Sequence, residues 1–185
     1  MATGAKVIQI YKKSTHKKQL DMICDNYNRL NNILEADVNG LIFLVLEDKA
    51  AQKREDQGDL GVRVQSVGHY SNPTMDQGNN EILIEQAITS CDFSSGIIEG
   101  IDHEFFVIDR AETHLIIKRD LIKFNKQLDC LQDEDRDFFL PYLYKKKGID
   151  DLADEYGITY KSMQQRITRV KNRIDEGMHP MDYKV

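Results

Sequence analysis

A chain of 185 residues with 41% hydrophobic and 30% charged residues is long enough for one substantial domain or two small ones, and its composition is not that of a disordered protein. Its net charge of −6 argues against an indiscriminate nucleic-acid coat, because such proteins are basic throughout. Cys24, Cys91 and Cys130 are far apart and odd in number, so they form no evident disulfide framework or zinc site. With no apolar run near the roughly 20 residues that span a bilayer, and no signal-peptide core, the expectation is a soluble protein of a reducing cytoplasm, without membrane contact.

Residues 1–13 read as a short, basic, frayed start, with Ser14 or Thr15 capping the first long helix. Leu20, Ile23, Tyr27, Leu30 and Leu34 recur at steps of three and four, an amphipathic stripe that Asn39-Gly40 is expected to break. From Leu41, LIFLVL suits a buried strand, but the Ala, Gln, Lys and Glu that follow favour helix and no strand is near to pair with, so helix is preferred. Residues 57–80 hold four glycines, a proline and several asparagines and serines, the composition of a long loop or an interdomain crossing, with a short extended piece at Leu60–Val64.

Thr74 or Asp76 can start the next helix, Ile82 to about Cys91 reads as that helix with Ile84 and Ile88 among its inward positions, and DFSSGIIEG from Asp92 reads as a break. A second long helix is expected from near Asp102 to Leu131, with apolar residues on more than one side, as the spine of a helical body over residues 1–131. That body suits dimerisation or partner contact. Residues 132–178 then form a C-terminal unit and 179–185 a loose tail. In this unit Asp133 is placed as an N-cap, Phe138, Phe139, Leu140, Leu143 and Tyr144 supply a backing helix, and Pro141 sits uncomfortably inside it.

The stretch Ile149–Ile174 carries the functional signal. Leu152 and Ala153 face inward on a short helix closed by Tyr156, Gly157 can turn with positive φ, and Ile158 plugs the corner. Thr159 caps a second helix on which Met163, Ile167, Val170 and Ile174 form one buried stripe, which makes a helix-turn-helix. Lys161, Gln165, Thr168, Arg169 and Asn172 point farthest from that stripe, with Tyr160, Ser162 and Gln164 beside them near the start. Between Thr159 and Ile174 there are five Lys and Arg and no acid, whereas Asp150, Asp151, Asp154 and Glu155 crowd the helix before.

These residue types match the chemistry of a major groove. Gln164 and Gln165 can pair with adenine and Arg169 with guanine or phosphate, each bidentate base contact giving about 1–3 kcal/mol of discrimination. The DNA-binding set is therefore Thr159, Tyr160, Lys161, Ser162, Gln164, Gln165, Thr168, Arg169 and Asn172. Weaker phosphate contacts are expected from Lys145, Lys146, Lys147, Arg166, Lys171 and Arg173, although Arg166 equally suits a pair with Asp150, Asp154 or Glu155. Residues 145–185 hold nine Lys and Arg against seven Asp and Glu, so most of the negative charge lies upstream.

The run LDCLQDEDRDFFLPYLY, then IDDLADEYGIT, then MQQRITRVKNRI resembles the fourth region of bacterial sigma factors, which docks on the upstream promoter element; the likeness covers about a quarter of the chain, from Leu128 to Ile174. Upstream, VRVQSVGHYSNPTMDQGNNE resembles the segment that precedes such a domain in small phage-encoded regulators of the RinA and ArpU type, although the stretch from Asp92 to Arg110 does not match them. The resemblance implies a phage or prophage activator of late genes in a bacterial host cell, binding double-stranded DNA and contacting RNA polymerase or a second copy. The acidic N-terminal body, without tryptophan, lacks the region by which a sigma factor melts a promoter.

Other classes fare less well. His103 and His114 share a helix face but stand about 16 Å apart along the axis, too far for one metal ion. With no Gly-rich phosphate loop, no G-x-S-x-G and no supported Cys–His pair, the expectation is no cofactor, no metal and no enzyme. The competing reading is an interaction module that grips RNA polymerase or another regulator without reading DNA. The expected fold is all-α, a helical body followed by a sigma-like helix-turn-helix.

Overall fold

A computed structural model describes residues 4–56 and 73–180. Among them the protein is all-α: α1 Gly4–Tyr11, α2 His16–Asn26, a 3-10 turn Tyr27–Arg29, α3 Leu30–Asp56, α4 Pro73–Ser90, α5 Glu104–Asp129, α6 Asp133–Leu143, α7 Ile149–Glu155 and α8 Tyr160–Met178. The extended piece expected at Leu60–Val64, the loop over 57–72 and the tail residues 181–185 lie outside the described residues. No described helix is long and apolar enough to cross a membrane.

Several boundaries differ from the expectations. Residues 4–11, expected to belong to a frayed start, form α1: Val7, Ile8 and Tyr11 are buried, and the Tyr11 hydroxyl donates to Asp120 Oδ2 at 3.2 Å. Three apolar residues on one side of two turns outweigh the lysines around them. Thr15 takes the N-cap place of α2 with extended backbone, but its hydroxyl makes no capping bond. The stripe from Leu20 to Leu34 is one line of burial on two helices, because Tyr27–Arg29 tightens into the 3-10 turn between them.

Asn39-Gly40 does not break the chain, since α3 runs straight through it. Both residues are exposed, while Val38, Leu41 and Val45 around them are buried. A helical glycine costs about 1 kcal/mol, less than one buried aliphatic side chain contributes. α4 begins at Pro73, one residue before Thr74, the earlier of the two expected starts, and proline is at ease in a first helical turn because its missing N–H has no partner there anyway. α5 spans nearly the expected stretch, but it is not buried on several sides: Phe105 is 88% exposed and Ile122 57%, while Val107, Ala111, His114 and Ile117 form its buried line. In α6, Gln132 rather than Asp133 is the N-cap, and Pro141 sits in the last turn, where it removes the N–H that would donate to the Asp137 carbonyl.

The chain divides into two compact units, one of Met1–Ile33 with Ile116–Val185 and the other of Leu34–Leu115. The second has its own core from α3 (Val38, Leu41, Val45), α4 (Ile84, Ile88), the connection Ile98 and Ile101, and α5 (Val107, Ala111). Two polar rungs flank that core. Asp37 accepts from Arg110 Nη2 at 2.6 Å and pairs with His114 Nε2 at 2.7 Å, and Asp48 pairs with His103 Nδ1 at 2.9 Å. Asp37 and Asp48, three turns apart on α3, thus meet His114 on α5 and His103 just before its first turn, which requires the helices to run antiparallel. Burial alone would raise the Asp37 pKa, but the hydrogen bonds from His114 and Arg110 outweigh it and bring it down to about 2.

In the first unit α8 packs against α7, α2 and α6. Leu20, Ile23, Phe138, Phe139, Leu143 and Leu152 are buried there together with the inner stripe of α8. The C-terminal helices therefore share one compact unit with α1 and α2.

Candidate nucleic-acid interface

The turn between α7 and α8 is built by backbone bonds that the sequence permits in one way. Gly157 has φ +62°, the left-handed region a side chain disfavours. That conformation lets Gly157 N–H donate to Asp154 O at 3.2 Å and Ile158 N–H to Ala153 O at 3.0 Å, so the last carbonyls of α7 are satisfied. At the other end of α7, Asp151 Oδ2 accepts from the Gly148 N–H at 2.8 Å. Thr159 then caps α8: its backbone is extended (φ −71°, ψ 151°) and its hydroxyl oxygen accepts from the Ser162 N–H at 3.2 Å.

Burial of Met163, Ile167, Val170 and Ile174 fixes the rotation of α8 about its axis. The helix continues past Ile174, because Met178 extends the same stripe by one further turn and is buried too. With the inner face fixed, Lys161, Gln164, Gln165, Thr168, Arg169 and Asn172 are brought together along one shallow, open furrow on the outer face. All six are exposed. Thr168 donates its hydroxyl to Gln164 O at 2.9 Å, which leaves its oxygen free to accept. Tyr160 and Thr159 are exposed at the start of the helix, and Ser162 is half-buried with its hydroxyl 2.9 Å from that of Thr159.

The basic residues fall into two groups. Lys147 pairs with Glu155 at 2.6 Å, Arg173 with Asp135 at 2.6 Å, Lys171 with Asp21 at 2.9 Å, and Lys145 more loosely with Asp25 at 3.8 Å. Lys171 is the most committed, with its side chain 17% exposed and its ammonium 5.7 Å from the Tyr142 ring centre. Burial opposes the Lys171 charge, yet its neighbours, the Asp21 carboxylate among them, outweigh burial and raise its pKa. Beneath it the Cys24 thiol is pushed up to about 12 by burial, so it stays protonated. In the other group, Lys161, Arg166 and Arg169 have no ion-pair partner among the described residues, and Lys146 lies over the Tyr144 ring at 5.7 Å.

Arg166 does not pair with Asp150, Asp154 or Glu155; it is exposed and borders a small hollow with Arg169, Phe138, Glu134 and Asp135. His103 and His114 meet aspartates rather than each other, and among the described residues no group of three or more ligating side chains could hold a metal ion.

Two features escaped the reading of the sequence. The partners of Lys171 and Lys145 are Asp21 and Asp25, more than 100 residues upstream, and no local pattern reports such a pairing. The second is the distribution of charge between the structural units. Residues 34–115 carry five Lys and Arg against sixteen Asp and Glu, a net of −11, so the unit that contains α8 is net +5. Placing the boundary before residue 145 hid this, because the lysines of residues 1–33 belong with the C-terminal helices. Comparison with family models, with curated proteins and with solved structures finds no match.

Proposed function

We propose that the protein is a sequence-specific DNA-binding transcription regulator that places α8 in a major groove. The observation that carries this reading is the outer face of α8: six exposed donor or donor–acceptor side chains, no acid among them, with Lys161, Arg166 and Arg169 left without a carboxylate among the described residues while their neighbours are paired. A helix in the groove reads base edges with its outward face and holds phosphates with its cations. The positive charge of the unit that contains α8 supports the same reading. The finer assignment, a sigma-like domain in a phage or prophage activator of the RinA and ArpU type that contacts RNA polymerase, rests on the resemblance of Leu128–Ile174 and the segment before it. No catalytic role is proposed.

Selection from a pool of random duplexes tests the reading. The expected result is enrichment of one short motif, with binding to it reduced about tenfold or more by Gln165→Ala or Arg169→Ala. No enrichment at low salt would reject DNA reading and leave a docking module in its place.

A further inference from the structure

The unit Leu34–Leu115 has a surface that DNA binding does not use. Its helices expose Phe43 (68%), Ile82 (54%), Leu83 (51%), Phe105 (88%) and Phe106 (52%), purely apolar side chains with no hydroxyl or amine to keep hydrated. Among the described residues of the other unit the large exposed hydrophobics are three tyrosines, Tyr144, Tyr156 and Tyr160, with Ile122. At 100° per residue Phe105 points directly away from the buried Val107 and Ala111, and so do Asp109 and Glu112, one and two turns on. Ile82 likewise points away from the buried Ile84 and Ile88, with the exposed Glu81 and Glu85 close by in sequence. Apolar and acidic side chains are thus interleaved on the outer faces of α4 and α5, in a unit of net charge −11.

We propose that the outer face of α5 at Phe105 and Phe106, within this acidic unit, docks a partner protein whose contact surface interleaves Lys or Arg with apolar side chains. Burying the two phenylalanines supplies the affinity and the acids around them choose the sign of the partner. Charge selects this occupant over the others. A second copy of the same face would set Asp109 and Glu112 against their own counterparts, and nucleic acid or an anionic membrane shares the sign of these acids. The proposal goes beyond the DNA reading, and the two can fail separately, since duplex binding reports on α8 and docking reports on α5.

The test uses the full chain and two labelled helical peptides of equal positive charge, one alternating leucine with lysine on an amphipathic helix and one with its leucines replaced by glutamine. The leucine–lysine peptide is expected to bind, more weakly as salt rises, and the glutamine–lysine peptide to bind at least about tenfold less tightly. Phe105→Ala with Phe106→Ala should weaken the leucine–lysine peptide about tenfold or more at unchanged melting temperature, and Phe105→Gln alone should show the same direction. Equal binding of both peptides, or unchanged binding by a folded double variant, overturns the proposal. So does sedimentation showing a wild-type dimer that the double variant loses, since a second copy would then be the occupant.

Discussion

The division of the basic residues can be measured through the salt dependence of DNA binding. Each phosphate neutralised by a cation releases counterions, so log K falls against log salt with a slope of about −0.9 per contact on duplex DNA. If Lys161, Arg166 and Arg169 reach phosphate or base edges while Lys147, Lys171 and Arg173 stay on their carboxylates, the slope should be about −3, and about −4 with Lys146. Were all nine C-terminal cations of residues 145–185 engaged, it would approach about −8. The assay is fluorescence anisotropy on a selected duplex across a series of KCl concentrations. Arg169→Ala should flatten the slope by about one and cost about 1–3 kcal/mol of binding. Lys171→Met should leave the slope unchanged and instead cost roughly 1 kcal/mol of folding stability, because its partner Asp21 is half-exposed and can be rehydrated. A slope lost with Lys171 and kept without Arg169 would refute the division.

Two further changes test the fold beneath the interface. Thr159→Ala removes the oxygen that accepts from the Ser162 N–H and should lower stability by about 1 kcal/mol, read as a lower midpoint in urea, with Thr159→Ser restoring most of it. The Asp37 rung predicts acid sensitivity of the Leu34–Leu115 unit. A carboxylate whose pKa is lowered from 3.8 to about 2 stabilises the fold above the unfolded value, and that contribution is lost as pH falls through the interval between the two. It amounts to about 1–2 kcal/mol after allowance for solvent screening. Asp37→Asn should therefore remove stability at neutral pH and flatten the stability profile between about pH 4 and pH 2, measured by urea denaturation in a pH series; a profile as steep as the wild type would contradict the assignment.

The helix-turn-helix was legible because every feature that makes it is local. Gly157, Thr159 and the stripe at 163, 167, 170 and 174 act through bonds and faces within a few residues, and the sequence alone placed the turn and the outer face of α8. The all-α class followed from the same periodicity. What misled was the weight given to single residues: Asn39-Gly40 looked like a break and the lysines before Ser14 like a frayed end, yet burial of Val38 and Leu41, and of Val7, Ile8 and Tyr11, decided both. His103 and His114 read as sharing one helix face, but His103 lies just before α5, and each meets an aspartate of α3. Asp37 and Asp48 have the same three-turn separation as His103 and His114, a signal that two antiparallel helices could have revealed. Pairings such as Lys171 with Asp21 have no sequence signature, since they depend on which helices meet.

The charge of the whole chain is the least informative number it offers. At −6 it argues mildly against nucleic acid, but it is an average over one unit at +5 and another at −11. Electrostatic forces between exposed charges are screened within about 10 Å at ordinary ionic strength, so a duplex responds to the charges close to α8 and not to the sum. On that scale what matters is which cations have spent their charge inside the protein. Lys171 and Arg173 lie on α8 itself yet are held by Asp21 and Asp135, whereas Lys161, Arg166 and Arg169 have no ion-pair partner among the described residues, and these three lie between the start and the middle of the helix, close to the glutamines. The internal pairs thereby confine the free positive charge to the part of α8 that carries Gln164 and Gln165. A helix charged evenly along its length would grip any phosphate backbone in many registers; under the proposed DNA reading, charge beside Gln164 and Gln165 would favour the register in which those two meet the bases.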